Sequence, residues 1–310
     1  MRCPLAACRS SGRHWQTPPR TLRDNPRMTI RHEAQRLLRL ADASEKADAV
    51  LRLDLDAEVD RHAAIEDRPG IPGRPPRPVL VPPSQLEHRS AHTVAGRAAL
   101  LHALAHIEAN AVNLALDIVW RFAGMPEAFY RDWLRVAHEE AMHFGLLSDH
   151  LATLGYAYGA FPAHDSLWEM AEKTKGDILA RLALVPRTLE ARGLDASPAV
   201  KAKLVQAGDH RAGEILDAIL RDEIGHVAVG NRWYRHVCAD RGLEPVASYA
   251  ALAEQYGAPP PRGPFNLAAR RAAGFDEAEL VLLQAPAPSE VARDAGAAAQ
   301  VARRAPRAPA

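Results

Sequence analysis

Cysteine, aromatic residues, net charge and long apolar runs are all scarce in this sequence, and each shortage excludes something. Three cysteines occur in 310 residues: Cys3, Cys8 and Cys238. Three cannot build a disulfide framework, and the expectation is a reducing compartment, the cytoplasm. Zinc at Cys3 and Cys8 would lack a second ligand pair. The formal net charge is +1, so no global positive field attracts a nucleic-acid backbone. No run reaches about 18 uninterrupted apolar residues, and no membrane-spanning helix is expected. Aromatics make up 5% of the chain, and β-branched runs are rare. What remains abundant is Ala, Leu, Glu and Arg, all good helix formers. With 47% hydrophobic residues the chain can bury a sizeable core, and the expected class is all-α.

The chain divides by composition. Residues 1–27 are rich in Arg, Pro and Ser and lack the apolar centre of a signal peptide. They read as a disordered extension, with Met28 as a possible true start. Residues 28–92 read as one or two N-terminal helices over 30–64, interrupted near Asp42 to Ser44. A Pro-rich arm over 68–92 follows, where proline density blocks both helix and central strand. Residues 93–240 carry helical periodicity throughout. Residues 241–283 lose it and read as a C-terminal wrapping segment with a short helix after Asn266. From 284 to 310, Ala, Pro and Arg dominate, and disorder is expected.

Within 93–240 the periodicity predicts four helices. The first runs from Thr93 to Phe122, stopped by Gly124 and Pro126. Its residues His106, Asn110, Asn113 and Asp117 form a polar stripe, while Glu108 falls among apolar residues on the other face. The second runs from Glu127 to Leu154, with Glu140 on its apolar face. The third runs from Asp165 to Arg192 and is kinked at Pro186. Gly193 is expected to end it, Ser197 and Pro198 to start the fourth, and Cys238 to lie at the fourth helix's end. Short turns make neighbours antiparallel, and residues 155–163 are long enough for a crossover. The expected architecture is an antiparallel four-helix bundle with a long crossover.

Two stretches in those helices read almost alike. One is His138-Glu139-Glu140-Ala141-Met142-His143, the other Arg221-Asp222-Glu223-Ile224-Gly225-His226. Each contains Glu-x-x-His on an apolar face, and the i, i+3 spacing lets one helix offer both groups to one ion. A single such motif is equally an exposed salt bridge. Here, however, each is paired with an apolar-face glutamate upstream. Glu108 precedes Glu140 by 32 residues, and Glu190 precedes Glu223 by 33. This is the pattern of two-metal carboxylate bundles, in which two helices give one Glu each and two give Glu-x-x-His. The candidate metal ligands are therefore Glu108, Glu140, His143, Glu190, Glu223 and His226. Carboxylates can bridge two cations, and imidazole suits iron, manganese and zinc.

Several neighbours stay open between two roles. Glu139 and Asp222 precede the candidate ligands and either orient a ligating histidine or lie exposed, Glu139 then pairing with Arg135. His102, His106 and His138 read as polar-face or interface residues. His150 lies on the same side as His143 and is a possible support for it.

Beyond the six candidate ligands, further stretches are familiar. They are Leu100 to Glu108, Pro186 to Asp195, and Pro264-Phe265-Asn266 with Ala269-Arg270 and Ala273-Gly274-Phe275. Together with the two motifs they resemble a ferritin-like family known as domain of unknown function 455, over about residues 30–280. That resemblance implies a ferritin-like four-helix core with a di-metal site, and it implies no reaction. In ligand pattern the chain is more distantly similar to the tRNA-modifying di-iron hydroxylases of ferritin-like fold.

The leading functional expectation is an oxygen-dependent oxidoreductase or hydroxylase using two iron ions, or iron plus manganese. Its partners would be dioxygen and a small-molecule or modified-base substrate. A non-catalytic metal binder for storage, detoxification or stability is the alternative. An RNA- or protein-interaction module with a vestigial site is a third reading, opposed by the complete ligand set and the near-zero charge.

Overall fold

The helix-forming composition yields an all-α chain. A computed structural model describes residues 29–285, and among these it forms eleven α-helices and no strand. The expected extension at 1–27, the Cys3 and Cys8 pair and residues 286–310 of the expected tail lie outside the described residues.

Two short helices come first, α1 (Ile30–Leu38) and α2 (Ala43–Leu51). The interruption at Asp42 has a physical cause, because its carboxylate accepts the Glu45 N–H at 2.9 Å and caps α2. Helix stops at Leu51 rather than near residue 64. Beyond it, Asp54 and Asp60 bend the chain by accepting the backbone N–H groups of Asp56 and His62. The Pro-rich arm then crosses the molecule and joins a distant connection. Val81 N–H donates to Ala163 O, and Ala163 N–H donates to Val79 O, at 2.8 and 3.0 Å.

The first long helix, α3 (Val94–Arg121), starts where the Thr93 hydroxyl accepts the Gly96 N–H. Glycine is required at 96, since a Cβ there would stand 1.9 Å from Ser90 O. Buried Arg31 fastens the other end. Its guanidinium donates to Val119 O and Trp120 O, carbonyls near a helix end that need partners. After a turn through Gly124, α4 (Glu127–Thr153) returns along α3.

The expected third and fourth helices are redrawn. The segment after the crossover divides into α5 (Ser166–Lys173), α6 (Ile178–Leu184), a π turn over Val185–Glu190, and α7 (Ala191–Gln206). Pro186 thus produces a π turn rather than a kink. Its ring seats against Gly230, where a Cβ would come within 2.6 Å of it. The Thr188 hydroxyl donates to Ala183 O at 2.9 Å and supports the turn from inside.

Gly193, Ser197 and Pro198 do not separate two helices; all three lie inside α7. Pro198 cannot donate to Leu194 O, and the Asn266 side chain donates to that carbonyl instead, at 3.2 Å. The actual break is at Ala207 to Asp209, with Gly208 at φ +86°. There the Asp209 carboxylate caps α8 (His210–Asp240) by accepting the Ala212 N–H.

After α8 the chain is more helical than expected. α9 (Pro245–Gln255) was not anticipated, and α10 (Leu267–Ala272) and α11 (Glu277–Gln284) replace one short helix. α9 packs on α6 and α8, and α10 on α7 and α8. Centrally, α3 lies on α4, α4 on α8, and α6, the π turn and α7 on α8, while α1 covers α3 and α2 covers α4. Leu101, Leu116, Phe129, Phe144, Leu147 and Tyr234 are among the buried core residues.

That covering also decides where the polar stripe of α3 lies. The polar stripe of α3 does not face solvent: His106, Asn110, Asn113 and Asp117 are all buried. Helices α2 and α6 supply partners for Asn113 and Asp117. The Lys46 ammonium donates to Asn113 Oδ1 at 2.6 Å, and Arg181 pairs with Asp117. α3 also proves long and apolar enough to cross a membrane by length and composition, although 72% of its most apolar window is buried within the protein.

Candidate metal centre

The i, i+3 spacing of each motif places a carboxylate and an imidazole on one helix face, and the packing of α3, α4 and α8 brings two such faces together with one further glutamate. Glu108 comes from α3, Glu140 and His143 from α4, and Glu223 and His226 from α8. All five are buried. They form two overlapping groups, Glu108–Glu140–His143 and Glu140–Glu223–His226. Within each group, one donor atom per residue lies within 4.8 Å of the others. A cation that takes oxygen or nitrogen ligands at about 2.0–2.6 Å spans such a group. The buried clusters are therefore able to hold metal ions.

Glu140 belongs to both groups. Its Oε2 lies 3.4 Å from His143 Nδ1, and its Oε1 lies 2.9 Å from His226 Nδ1. One carboxylate oxygen is thus turned to each histidine, as a bridging ligand requires. Glu108 Oε2 approaches His143 Nδ1 at 3.5 Å, and Glu223 Oε2 approaches His226 Nδ1 at 3.2 Å. The two imidazole centroids are 5.8 Å apart.

The outer nitrogens settle the open question about Glu139 and Asp222. His226 Nε2 lies 2.8 Å from Glu139 Oε2, and His143 Nε2 lies 3.2 Å from Asp222 Oδ2. The pairing is exchanged: the acid on α4 holds the histidine of α8, and the acid on α8 holds the histidine of α4. An acid on Nε2 fixes the ring and leaves Nδ1 turned inward. Arg135 is not the partner of Glu139; it lies 3.9 Å from Asp132. No pattern within either motif predicts the exchange, because it depends on how the two helices cross.

His150 does not support His143. Its Nε2 lies 2.8 Å from Asp209 Oδ1 at the start of α8. His102 and His106 are buried, and they fix the crossover. His102 Nε2 accepts the Gly159 N–H at 2.9 Å, and His106 Nδ1 lies 2.9 Å from the Tyr158 hydroxyl.

Glu190 stands apart from the two tight groups. It is the last residue of the π turn. Its Oε2 is shut off from solvent and has no hydrogen-bond partner. A buried carboxylate oxygen without a donor is costly unless the group keeps a proton or meets a cation. Gly193, one turn on, packs close to Glu223, with a Cβ position 3.5 Å from its Oε1.

The electrostatics follow from crowding. Burial, then repulsion from Glu140, pushes the Glu108 carboxyl well above the ordinary range. Burial, then Glu223 and Glu140, does the same to Glu190. Burial also raises Glu223. Glu140 is the exception, because the His226 charge and bonds to both histidines outweigh burial and hold its carboxyl well below the usual range. Burial opposes charge on His143, but bonds to Glu108 and Glu140 prevail and push it up to about 11. His226 is raised for like reasons, with Glu140 the main partner. The cluster thus binds protons tightly at the atoms a metal would use, so metal uptake displaces protons.

Residues 30–281 match the family described as "Protein of unknown function (DUF455)". The chain is also similar to an "Uncharacterized protein" of Haemophilus influenzae (strain ATCC 51907 / DSM 11121 / KW20 / Rd). The two are 51% identical over 213 residues, covering 66% of this chain and 74% of the relative. No solved structure matches the chain.

Proposed function

We propose that this chain, which belongs to the DUF455 family, is a di-metal carboxylate protein with a ferritin-like four-helix core. In this reading it serves as an oxygen-dependent oxidoreductase or hydroxylase. The core would be α3, α4, the α6–α7 unit and α8, each contributing to the centre. The observation that carries the reading is Glu140, which turns one oxygen to each histidine from the middle of two overlapping ligand groups.

The residues present fit two divalent ions. Glu108 and His143 would hold one, Glu223 and His226 the other, with Glu140 between them. The orphaned Glu190 Oε2 supplies a sixth donor beside the second group. Four carboxylates balance two divalent charges, and the mixed oxygen and nitrogen set suits iron or manganese. When bound, such a pair would supply electrons to dioxygen for oxidation of a small organic or modified-base substrate.

The protein's own part is positional. Asp222 and Glu139 hold the outer nitrogens of His143 and His226, so the inner nitrogens stay directed at the centre. Val112, Val136 and Ala141 belong to the buried core of the same helices, and the carboxylates Glu108 and Glu140 are themselves 5% and 1% exposed. The i, i+3 geometry of α4 and α8 keeps the ligands in place without loops.

The test is metal analysis of anaerobically purified protein, followed by optical spectra on adding dioxygen. About two iron or manganese equivalents and a spectral change are expected. Glu140→Ala and Glu223→Ala should lose metal. Binding equal to the parent in both variants would refute the assignment. Stoichiometric metal with no response to dioxygen would favour the storage or structural alternative.

A further inference from the structure

The π turn that ends in Glu190 carries another buried charge three residues earlier. Arg187 is 4% exposed. Its Nε donates to Asn231 Oδ1 at 2.5 Å, and its Nη2 pairs with Glu279. The guanidinium lies over Tyr234 at 4.2 Å, with Phe275 and Tyr249 at 5.3 and 5.4 Å. Its Nη1, shut off from solvent, has no acceptor. A buried charged donor without a partner is unfavourable, and evolved interiors rarely leave one so.

Arg187 lines a cleft of about 150 Å³ between the π turn and the C-terminal helices. Arg270 lines it too, itself buried and paired with Asp195. The one carboxylate in the lining is Glu279, already shared between Arg187 and Arg235. The remaining wall is mostly apolar, with Val246, Phe275 and Leu283, and Tyr249 adds a ring. None of the six candidate metal ligands lines this cleft.

We propose that the cleft binds a small carboxylate with an apolar body, whose oxygens accept from Arg187 while the body lies against Phe275 and Val246. The charge of the ligand follows from Arg187, whose partner Glu279 is divided with Arg235 and whose Nη1 is unmatched, Arg270 being already paired with Asp195. Its size follows from the volume, since a cavity of roughly 150 Å³ takes a single benzene-sized ring. The proposal stands independently of the metal reading.

Calorimetric titration of the full chain with benzoate tests it. Saturable binding with a dissociation constant below about 1 mM is expected. Benzyl alcohol, of similar shape without charge, should bind at least tenfold more weakly. Arg187→Met should erase that difference. Because Arg187 is buried and its loss can impair folding, Val246→Trp is the second variant. It fills the cleft from the wall while leaving both arginines in the sequence, and should abolish binding. Chelator-treated protein should bind benzoate as tightly as untreated protein; loss there would assign the benzoate to the metal cluster and overturn the proposal. Equal affinity for benzoate and benzyl alcohol, no saturable binding, or unchanged binding in Val246→Trp would each overturn it. Displacement by inorganic phosphate at equal concentration would mean an inorganic-anion site only, which also overturns it.

Discussion

Asp117 and Glu140 are both fully buried carboxylates, on the neighbouring helices α3 and α4. Asp117 meets two guanidinium groups, Arg181 and Arg121, the latter at 2.8 Å. Arg181 in turn donates to Thr174 Oγ1 and Ala171 O. Arg121 also reaches Asp67 at 3.3 Å, so the members of that cluster have partners and two carboxylates face two guanidinium groups. Around Glu140 stand two histidines and three more carboxylates, and Glu190 Oε2 has no donor at all. A folding chain that needed only to neutralise Glu140 could have used arginine, as it does for Asp117. The difference separates an ion pair that is complete from a cluster that is complete only with bound cations or protons.

Substitutions can break or sharpen this comparison. The largest effect is expected from Glu140→Ala, which removes the residue common to both ligand groups. Both metal equivalents should be lost, measured by elemental analysis after gel filtration. Retention of one equivalent would mean that Glu140 is not shared. Next is Asp117→Ala, which leaves Arg181 buried without its counter-charge. A loss of about 3–5 kcal/mol is expected in urea unfolding, as for other broken buried pairs, with metal content per folded molecule unchanged. If metal content falls instead, the two clusters are not separate.

Smaller effects should follow from the exchanged acids. Asp222→Ala and Glu139→Ala should each weaken metal binding by about 10–100-fold. Asp222→Ala should perturb the ion at His143, and Glu139→Ala the ion at His226. Competition with a coloured chelator reads the affinities, and paramagnetic shifts of the imidazole protons tell which ion is affected. The reverse assignment would contradict the exchange.

The smallest is a pH effect at Lys46. Its ammonium is buried beside Asn113, and burial, then the Arg74 charge, lowers its pKa from 10.5 to about 7. Between pH 7 and 10.5 the unfolded chain therefore holds a proton that the folded chain has released, and stability rises with pH across that window. Relative to Lys46→Met, the parent should gain at most about 1.4 kcal/mol per pH unit between pH 7 and 9. A flat difference across that range would show that Lys46 is neutral or charged in both states.

How far the sequence could be read depends on whether the deciding contact is local. Thr93 and Gly124 mark the ends of α3 from neighbouring residues, and the i, i+3 motifs need only one helix. Five of the six candidate ligands meet as the apolar-face argument required. The burial of the polar stripe of α3 was not legible because its partners are remote: Lys46 lies 67 residues before Asn113, and Arg181 lies 64 after Asp117. Pro198 misled for the same reason, since the group that replaces its missing N–H is Asn266, whose bond to Leu194 O spans 72 residues. The π turn was concealed as well, because a proline within a helical pattern announces disturbance without announcing its form. Equal spacing pointed to Glu190, and it could not foretell a position outside the two tight groups.

The exchanged acids of α4 and α8 act as a check on register. A slip of α8 by one residue moves each of its groups about 1.5 Å along the axis and about 100° around it. Such a slip would part His143 from Asp222 and His226 from Glu139 in a single motion. Correct docking of the two helices and correct aim of the two imidazoles are then one event. A chain with α8 misaligned could hold neither ion properly, so metal uptake would distinguish the native alignment from its nearest competitors and stabilise that alignment alone.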